Sequence, residues 1–206
     1  MKNLLLVCAL IIPTMGFANG IAIPFDRSVK FEKNNETYVQ HDYGSGVRWN
    51  KNYVVSAKHV NFVEGSVYKC SENCDLQFIE MKDSSFPVPE WRDSIPSEKI
   101  HVQGNTRSGK MANVNGQIIN QKFYINGTKI LNTLENSAQE NSVVYATTAH
   151  IFHGQSGGPV IGEDGKVIGI LVGETEVTNQ AGKKFMVSVF VPKSVIEQEW
   201  KKFNKI

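Results

Sequence analysis

The segment 154–158, Gly-Gln-Ser-Gly-Gly, is the part of the sequence best suited to chemistry. A serine hydroxyl becomes a useful nucleophile when a tight turn exposes it and backbone N–H groups point at the developing oxyanion. The glycines around Ser156 permit such a turn, because glycine adopts conformations that other residues avoid. The same five residues would also fit a turn that has no catalytic role. The segment therefore predicts a nucleophile only if suitable partners exist elsewhere.

A general base and an acid that orients it are the partners that Ser156 needs. Only His59 follows an apolar strand with small residues around it, in the segment 54–60, Val-Val-Ser-Ala-Lys-His-Val. Asp75 opens the strand-like segment 75–79 and can hold the second ring nitrogen of His59. We therefore predict His59 as the base and Asp75 as its partner. The other histidines are His41, His101, His150 and His153.

Metal and cofactor chemistry are not required by these residues. His150 and His153 could form a metal pair, but no carboxylate accompanies them, so we expect pocket or surface residues and no metal. Charge is nearly balanced, with 22 Lys and Arg against 20 Asp and Glu, and is scattered along the chain. We therefore expect neither nucleic acid nor an anionic membrane surface as the main partner.

Residues 1–18 have the features of a secretory signal peptide. Lys2 precedes an apolar run at 4–13, and small residues near Ala18 suggest cleavage after it. The run is too short for a membrane span, which needs about 20 residues. We expect an exported protein, periplasmic or secreted, with no membrane association after cleavage. Cys70 and Cys74 then remain and predict a disulfide, worth about 2 kcal/mol for so short a loop.

The elements that must position these residues are mostly short β-segments. Segments such as 53–56, 76–81 and 167–172 alternate with turn residues, among them the Asn126-Gly127 and Asp164-Gly165 hairpin signals. This pattern is typical of an antiparallel barrel or sandwich. A polar stretch at 86–98 predicts a linker between two halves, 19–96 and 97–206.

One helix is predicted, at the end of the chain. Ser194 and Glu197 have the spacing of a capping box, and Ile196, Trp200 and Phe203 fall on one face. The pattern Gly-x-Ser-x-Gly also occurs in α/β-hydrolases, but those have the order serine, acid, histidine, and no histidine follows Ser156. We therefore exclude that fold.

The order His59, Asp75, Ser156 is that of the trypsin-like serine proteases, and the surrounding motifs resemble their bacterial HtrA-like branch. The segment 44–47, Gly-Ser-Gly-Val, the strand leading to His59 and the segment 160–172 after the nucleophile carry this resemblance. It implies an all-β, chymotrypsin-like fold of two antiparallel six-stranded β-barrels with the triad between them. It also implies an oxyanion hole formed by the backbone N–H groups of Gly154 and Ser156.

The sequence departs from the HtrA-like pattern in two places. Only sixteen positions separate His59 from Asp75, which indicates a shortened hairpin, and Asp83 and Asp93 are alternative acids. No segment resembling the peptide-binding module of HtrA-like proteins follows, so we expect a monomer.

The resemblance places His150 at the base of the primary pocket, with Val172 and Glu174 on the strand that receives substrate. Without an acid at His150, strict cleavage after Arg or Lys is not expected, although Glu174 could attract a basic side chain. We predict a serine endopeptidase that acts on protein or peptide substrates without a cofactor. The alternative is a catalytically inactive binding module on the same fold.

Overall fold

The computed structural model describes residues 20–33, 36–82, 85–126, 129–131, 143–178 and 181–205. The predicted signal peptide, Asp83 and the glycine of the Asn126-Gly127 turn lie outside these residues. Twelve strands and one helix fall within them. Their bounds are β1 Ala22–Lys33, β2 Glu36–Arg48, β3 Tyr53–Ser56, β4 Ser66–Lys69, β5 Gln77–Glu80, β6 Lys99–Gly104, β7 Ala112–Asn126, β8 Lys129–Leu131, β9 Val143–Thr147, β10 Pro159–Gly162, β11 Val167–Thr178, β12 Lys184–Pro192 and α1 Lys193–Phe203.

The first sheet consists of β1 to β5, all antiparallel, in the order β1-β2-β3-β5-β4. β1 and β2 form a long hairpin that pairs from Ala22 with Val47 to Lys33 with Glu36. The inner strands of the sheet are short and apolar, and Val54, Val55 and Phe78 are fully buried. This sheet carries His59 just after β3 and Asp75 just before β5.

The second sheet closes on itself. Its order is β6-β10-β11-β12-β9-β7, and the first part of β7 pairs back onto β6, while β8 pairs with the end of β7 at 124–126. It carries Ser156 in the turn before β10. The expected all-β fold with antiparallel sheets and a terminal helix is confirmed. The second sheet has six strands in a closed ring, and the first has five within the described residues.

Helix α1 follows β12 of the second sheet, but its aromatic side chains pack on the first. Trp200 contacts Phe78 at a ring distance of 5.0 Å and Tyr53 at 5.1 Å, and Phe203 joins the same cluster. Buried Glu199 accepts a hydrogen bond from the Tyr68 hydroxyl, 2.7 Å away. The helix therefore ties the two halves together. Within the described ranges, no helix has the length and apolar content needed to cross a membrane.

The predicted capping box of α1 is wrong. The helix begins at Lys193, and Pro192 is its N-cap residue, without a side-chain cap hydrogen bond. Proline presets the backbone for the following helix, so the chain turns directly from β12 into α1. Ser194 is thus already inside the first turn.

Candidate active site

The side chain of His59 is held by a single carboxylate. Its ring Nδ1 lies 2.6 Å from Asp75 Oδ2, and its backbone N–H donates to Asp75 Oδ1 over 3.0 Å. Asp75 therefore fixes both the backbone and the ring of His59. This geometry directs Nδ1 at the acid and leaves Nε2 for another partner. Of the two alternative acids, Asp93 is exposed between β5 and β6 and lines neither cleft beside His59.

The environment of His59 makes it a stronger base than a free imidazole. Burial makes the largest contribution to the pKa of His59 and lowers it. The hydrogen bond and the negative charge of Asp75 together outweigh burial, so the pKa of His59 lies above its ordinary value. Half of the His59 side chain, 49%, stays exposed, against 17% for Asp75. A reagent can therefore reach the ring while the acid is covered.

The turn around Ser156 depends on its glycines. Gly154 has φ +103° and Gly157 has φ +84°, a region that residues with a Cβ rarely adopt. A Cβ on Gly157 would also collide with the carbonyl oxygen of Ser45 and the hydroxyl of Ser56. The sequence Gly-x-Ser-Gly is therefore required by both backbone conformation and close packing.

Ser45 on β2 holds this turn from the opposite sheet. Its backbone N–H donates to the carbonyl of Ser156 over 2.8 Å, and its hydroxyl donates to the carbonyl of Gly154 over 2.8 Å. The same hydroxyl accepts the backbone N–H of Asn105, and Ser45 is fully buried. Sequence reasoning gave Ser45 only as part of a motif. Its contacts with Gly154 and Ser156 join residues more than a hundred positions apart in the sequence, and no local pattern reveals them.

Two backbone N–H groups at the turn are free to bind an anion. Among the described residues, the N–H groups of Gly154 and Ser156 donate no hydrogen bond, whereas that of Gly157 donates to Leu171. The N–H of Ser156 shares its peptide plane with the carbonyl of Gln155, which accepts the N–H of Gly158 over 2.9 Å. Because a peptide is planar, this bond also fixes the direction of the Ser156 N–H.

Gln155, just before Ser156, is fully buried, and its side chain forms hydrogen bonds within the chain. Its Oε1 accepts the N–H of Phe152 over 2.8 Å, and its Nε2 donates to the carbonyl of Ala112 over 3.4 Å. Its side chain therefore braces the turn without a charged partner.

Ser156 and His59 line the same cleft of about 400 Å³, together with His41, His153 and Gly154. No hydrogen bond joins Ser156 Oγ to His59 Nε2 in the described part of the chain. Catalytic hydrogen bonds are often long or poorly aligned in enzymes without substrate, so the missing bond does not exclude the pair.

His59 and Asp75 both line a second cleft of about 450 Å³. Val172 and Glu174 of β11 line it, with the aliphatic side chains Ile125 and Ile130. Glu174 Oε1 lies 3.5 Å from the hydroxyl of Ser188. His150 is exposed and lines neither of these two clefts. The structure thus brings Val172 and Glu174, but not His150, to the cleft of His59.

A disulfide closes the loop that precedes Asp75. Cys70 and Cys74 are bonded, with Cα atoms 5.8 Å apart. Lys58 Nζ, from the residue before His59, donates to the carbonyl of Ser71 in the same loop over 2.6 Å. Within the described ranges, one group of three potential metal ligands occurs, Cys70, Cys74 and Glu199. The disulfide removes its two thiolates as ligands.

Two antiparallel β-sheets that bring an acid, a histidine and a glycine-framed serine together define the chymotrypsin-like class of folds. The chain belongs to the trypsin-like peptidase domain family, whose model matches residues 61–170. The match contains Asp75 and Ser156 and begins two positions after His59. No curated protein sequence matches the chain.

Solved structures show the same fold at low identity. The active form of the Rv3671c protease from M. tuberculosis is 17% identical over 81% of this chain and 74% of its own, with a TM-score of 0.58. The MamO protease domain from Magnetospirillum magneticum is 16% identical over 75% of this chain and 86% of its own, with a TM-score of 0.54. The HtrA-type protease AlgW, solved with a tripeptide, is 17% identical over 87% of this chain and 58% of its own, with a TM-score of 0.58. The HtrA-like motifs in the sequence agree with this similarity.

Proposed function

We propose that this protein is an exported serine endopeptidase with Ser156 as nucleophile, His59 as general base and Asp75 as the acid that orients His59. The observation that carries the proposal is the pairing of His59 with Asp75, 2.6 Å apart, together with the cleft that His59 shares with Ser156. A strand-ending acid and a structural glycine turn, on two different sheets, would have no reason to lie beside the same histidine. The inactive binding module is the alternative that the experiments below test.

Catalysis would proceed by acyl transfer. Ser156 Oγ attacks the peptide carbonyl, and its proton passes to His59 Nε2. The resulting oxyanion is bound by the free N–H groups of Gly154 and Ser156. His59 then gives the proton to the departing amine, and water hydrolyses the acyl-enzyme by the same steps in reverse. Asp75 stays ionised and stabilises the imidazolium.

The edge of β11 offers a place for the substrate backbone. Pairing with β10 ends at Ile170, and a β-bulge between Leu171 and Gly173 leaves Val172 without a partner in β12. Within the described residues, β11 is therefore open on one side from Val172 onward. An extended peptide can add to such an edge. AlgW was solved with a tripeptide and with a decapeptide, which supports a peptide substrate for this chain as well.

We also propose that the protein is exported and monomeric. The features of residues 1–18 and the disulfide are those of a protein that folds outside the cytoplasm. N-terminal sequencing of protein from its native compartment should give a start at Asn19, and a start at Met1 would contradict export.

Peptide hydrolysis tests the proposed activity. Protein beginning at Asn19 should cleave an internally quenched peptide library, and Ser156→Ala should reduce turnover by about a millionfold while the fold is kept. Ser108→Ala is the matched control, because Ser108 is exposed in the turn between β6 and β7 and its hydroxyl hydrogen-bonds to the nearby hydroxyl of Thr106. Equal rates in all three proteins would contradict the proposal.

A further inference from the structure

Gln77 is a polar residue in an apolar place. It is the first residue of β5, between the fully buried Leu76 and Phe78, and is itself fully buried. Its side-chain Nε2 donates to the carbonyl of Ala57 over 2.9 Å and to the carbonyl of Val60 over 2.8 Å. One NH₂ group has two hydrogens, so both are used on these two carbonyls.

The two carbonyls flank the turn that presents His59. The N–H of Val60 also donates to the carbonyl of Ala57, over 3.1 Å, so Lys58 and His59 are the central residues of a closed turn. Gln77 holds this turn at both ends. The ladder between β3 and β5 ends where Ser56 pairs with Gln77. Beyond this last pair, the side chain of Gln77 connects β5 to the turn that follows β3.

Asp75 and Gln77 act on the same turn because side chains alternate along an extended chain. Asp75 binds the ring and the backbone N–H of His59, while Gln77 binds the carbonyls on either side. Leu76 points the other way, into the core. If the side-chain amide of Gln77 were rotated by 180°, Oε1 would face two carbonyl oxygens, and no hydrogen would lie between them. The atom that faces these carbonyls is therefore Nε2, which donates to both.

Stability alone explains Gln77 poorly. Its Oε1 is buried and has no hydrogen-bond partner among the described residues. A buried polar atom without a partner destabilises a fold, and an aliphatic residue would avoid this cost. The contacts that Gln77 does make all lie at the His59 turn.

We propose that Gln77 is a positioning residue that fixes the His59 turn, so that His59 Nε2 faces Ser156 while Nδ1 faces Asp75. This inference rests on the proposed function, since it gives His59 the role of base.

The test compares three substitutions in the full mature chain. Gln77→Met keeps the size of the side chain and removes both donors, and Gln77→Glu replaces the donors with acceptors. Phe78→Leu is the matched control, because Phe78 is equally buried in the same strand but packs in the aromatic cluster beneath α1. Each variant is measured for kcat, KM, melting temperature and the NMR resonance of the His59 Nδ1 proton that Asp75 accepts.

Both Gln77 variants should lose about tenfold to a hundredfold in kcat with KM within about twofold, because displacement of a catalytic group by about 1 Å is this costly. Their Nδ1 proton resonance should broaden or disappear, while Phe78→Leu keeps it even where its melting temperature falls further. Retention of kcat and of the resonance in Gln77→Met would overturn the inference. Losses that merely follow melting temperature in all three variants would overturn it too.

The proton resonance separates this inference from the proposed function. If the native protein hydrolyses no peptide, the proposed function fails. The resonance then still shows whether Gln77 holds His59 against Asp75, since it requires no turnover.

Discussion

In the proposed mechanism, Asp75 determines how His59 behaves as a base. The contacts at 2.6 Å to the ring and 3.0 Å to the backbone N–H give one carboxylate control of orientation and charge. A neutral amide at this position could keep the shape of the contact but would not stabilise the imidazolium. The ring could also settle in the wrong tautomer, with its proton on the nitrogen that must accept one from Ser156.

The pH dependence of kcat/KM tests this pairing. His59 must be neutral to accept a proton, and its pKa is raised, so activity should rise with pH through a midpoint above the ordinary imidazole value. In Asp75→Asn the raising interactions are lost and burial remains, so the midpoint should move to lower pH. The maximal rate should fall on the order of ten-thousandfold.

Asp93→Asn is the control for this experiment, because Asp93 is exposed and lines neither of the clefts that His59 lines. Its profile should match that of the native protein. If Asp93→Asn lost activity and Asp75→Asn kept it, Asp93 rather than Asp75 would be the acid that orients His59.

Glu174 should influence which side chains are preferred near the scissile bond. It is exposed at the rim of the cleft beside His59, next to Ser188. Glu174→Gln should lower kcat/KM about two- to fivefold for peptides with Lys or Arg near the cleavage site, the effect of one exposed ion pair. Matched peptides with norleucine in place of Lys should be unaffected. Equal changes for both peptide sets would show that Glu174 does not read charge.

At this scale the sequence identified the residues with distinctive chemistry and missed those that support them. Ser156, His59 and Asp75 could be selected because their types are reactive and their surroundings unusual. Ser45 and Gln77 are ordinary residues in strands, and their roles arise from contacts with Gly154, Ala57 and Val60 that only the folded chain creates. The expected pocket position of His150 came from the family pattern, not from its own surroundings.

Among the elements, the loop closed by Cys70 and Cys74 has the most direct effect on the site. It ends one residue before Asp75, and Lys58 connects it to the residue that precedes His59. A change in this loop therefore reaches both members of the pair. The loop contributes little to the fold as a whole, because it encloses so few residues.

Removal of the disulfide should lower activity more than stability. Cys70→Ser with Cys74→Ser should cost about 2 kcal/mol, which lowers the melting temperature of a protein of this size by about 4–8 °C. Peptide hydrolysis at 25 °C, where the protein stays folded, should fall at least tenfold.

Lys58→Met is the companion variant, since it releases the same loop while the disulfide stays intact. It should show a smaller loss in the same direction. Unchanged hydrolysis in the double serine variant would mean that Asp75 is held without the loop.

Strands were predictable from sequence where one face is buried. The segments 53–56 and 76–81 match β3 and β5, because apolar residues and turn residues mark them clearly. The sequence did not predict β1 and β2, because most residues toward the tip of this hairpin are exposed and polar. They are strands because they pair with each other over the whole length of β1.

At the scale of the whole molecule, the chain carries its own support for the turn at Ser156. In trypsin-like zymogens, as the family resemblance has it, an acid before the nucleophile pairs with a newly formed N-terminal ammonium. The corresponding residue here is Gln155, whose side chain already bonds to Phe152 and Ala112. The backbone N–H of Ile21 donates instead to Gln103 Oε1, over 3.3 Å.

Activity should therefore not depend on a free N-terminus. Protein that begins at Asn19 and protein with three additional residues before it should have equal kcat/KM within about twofold. Gly20 is exposed, so an extension can project into solvent. A hundredfold drop in the extended form would show that an ammonium is needed after all.

The residue at which a fluorophosphonate probe reacts tests the assignment of Ser156 most directly. We expect a single adduct on the protein that begins at Asn19, located on Ser156 by peptide mapping, and no adduct in folded His59→Ala, because the hydroxyl is unreactive without its base. A folded protein that takes up no probe, or an adduct on any other residue, would contradict the assignment of Ser156 as the nucleophile.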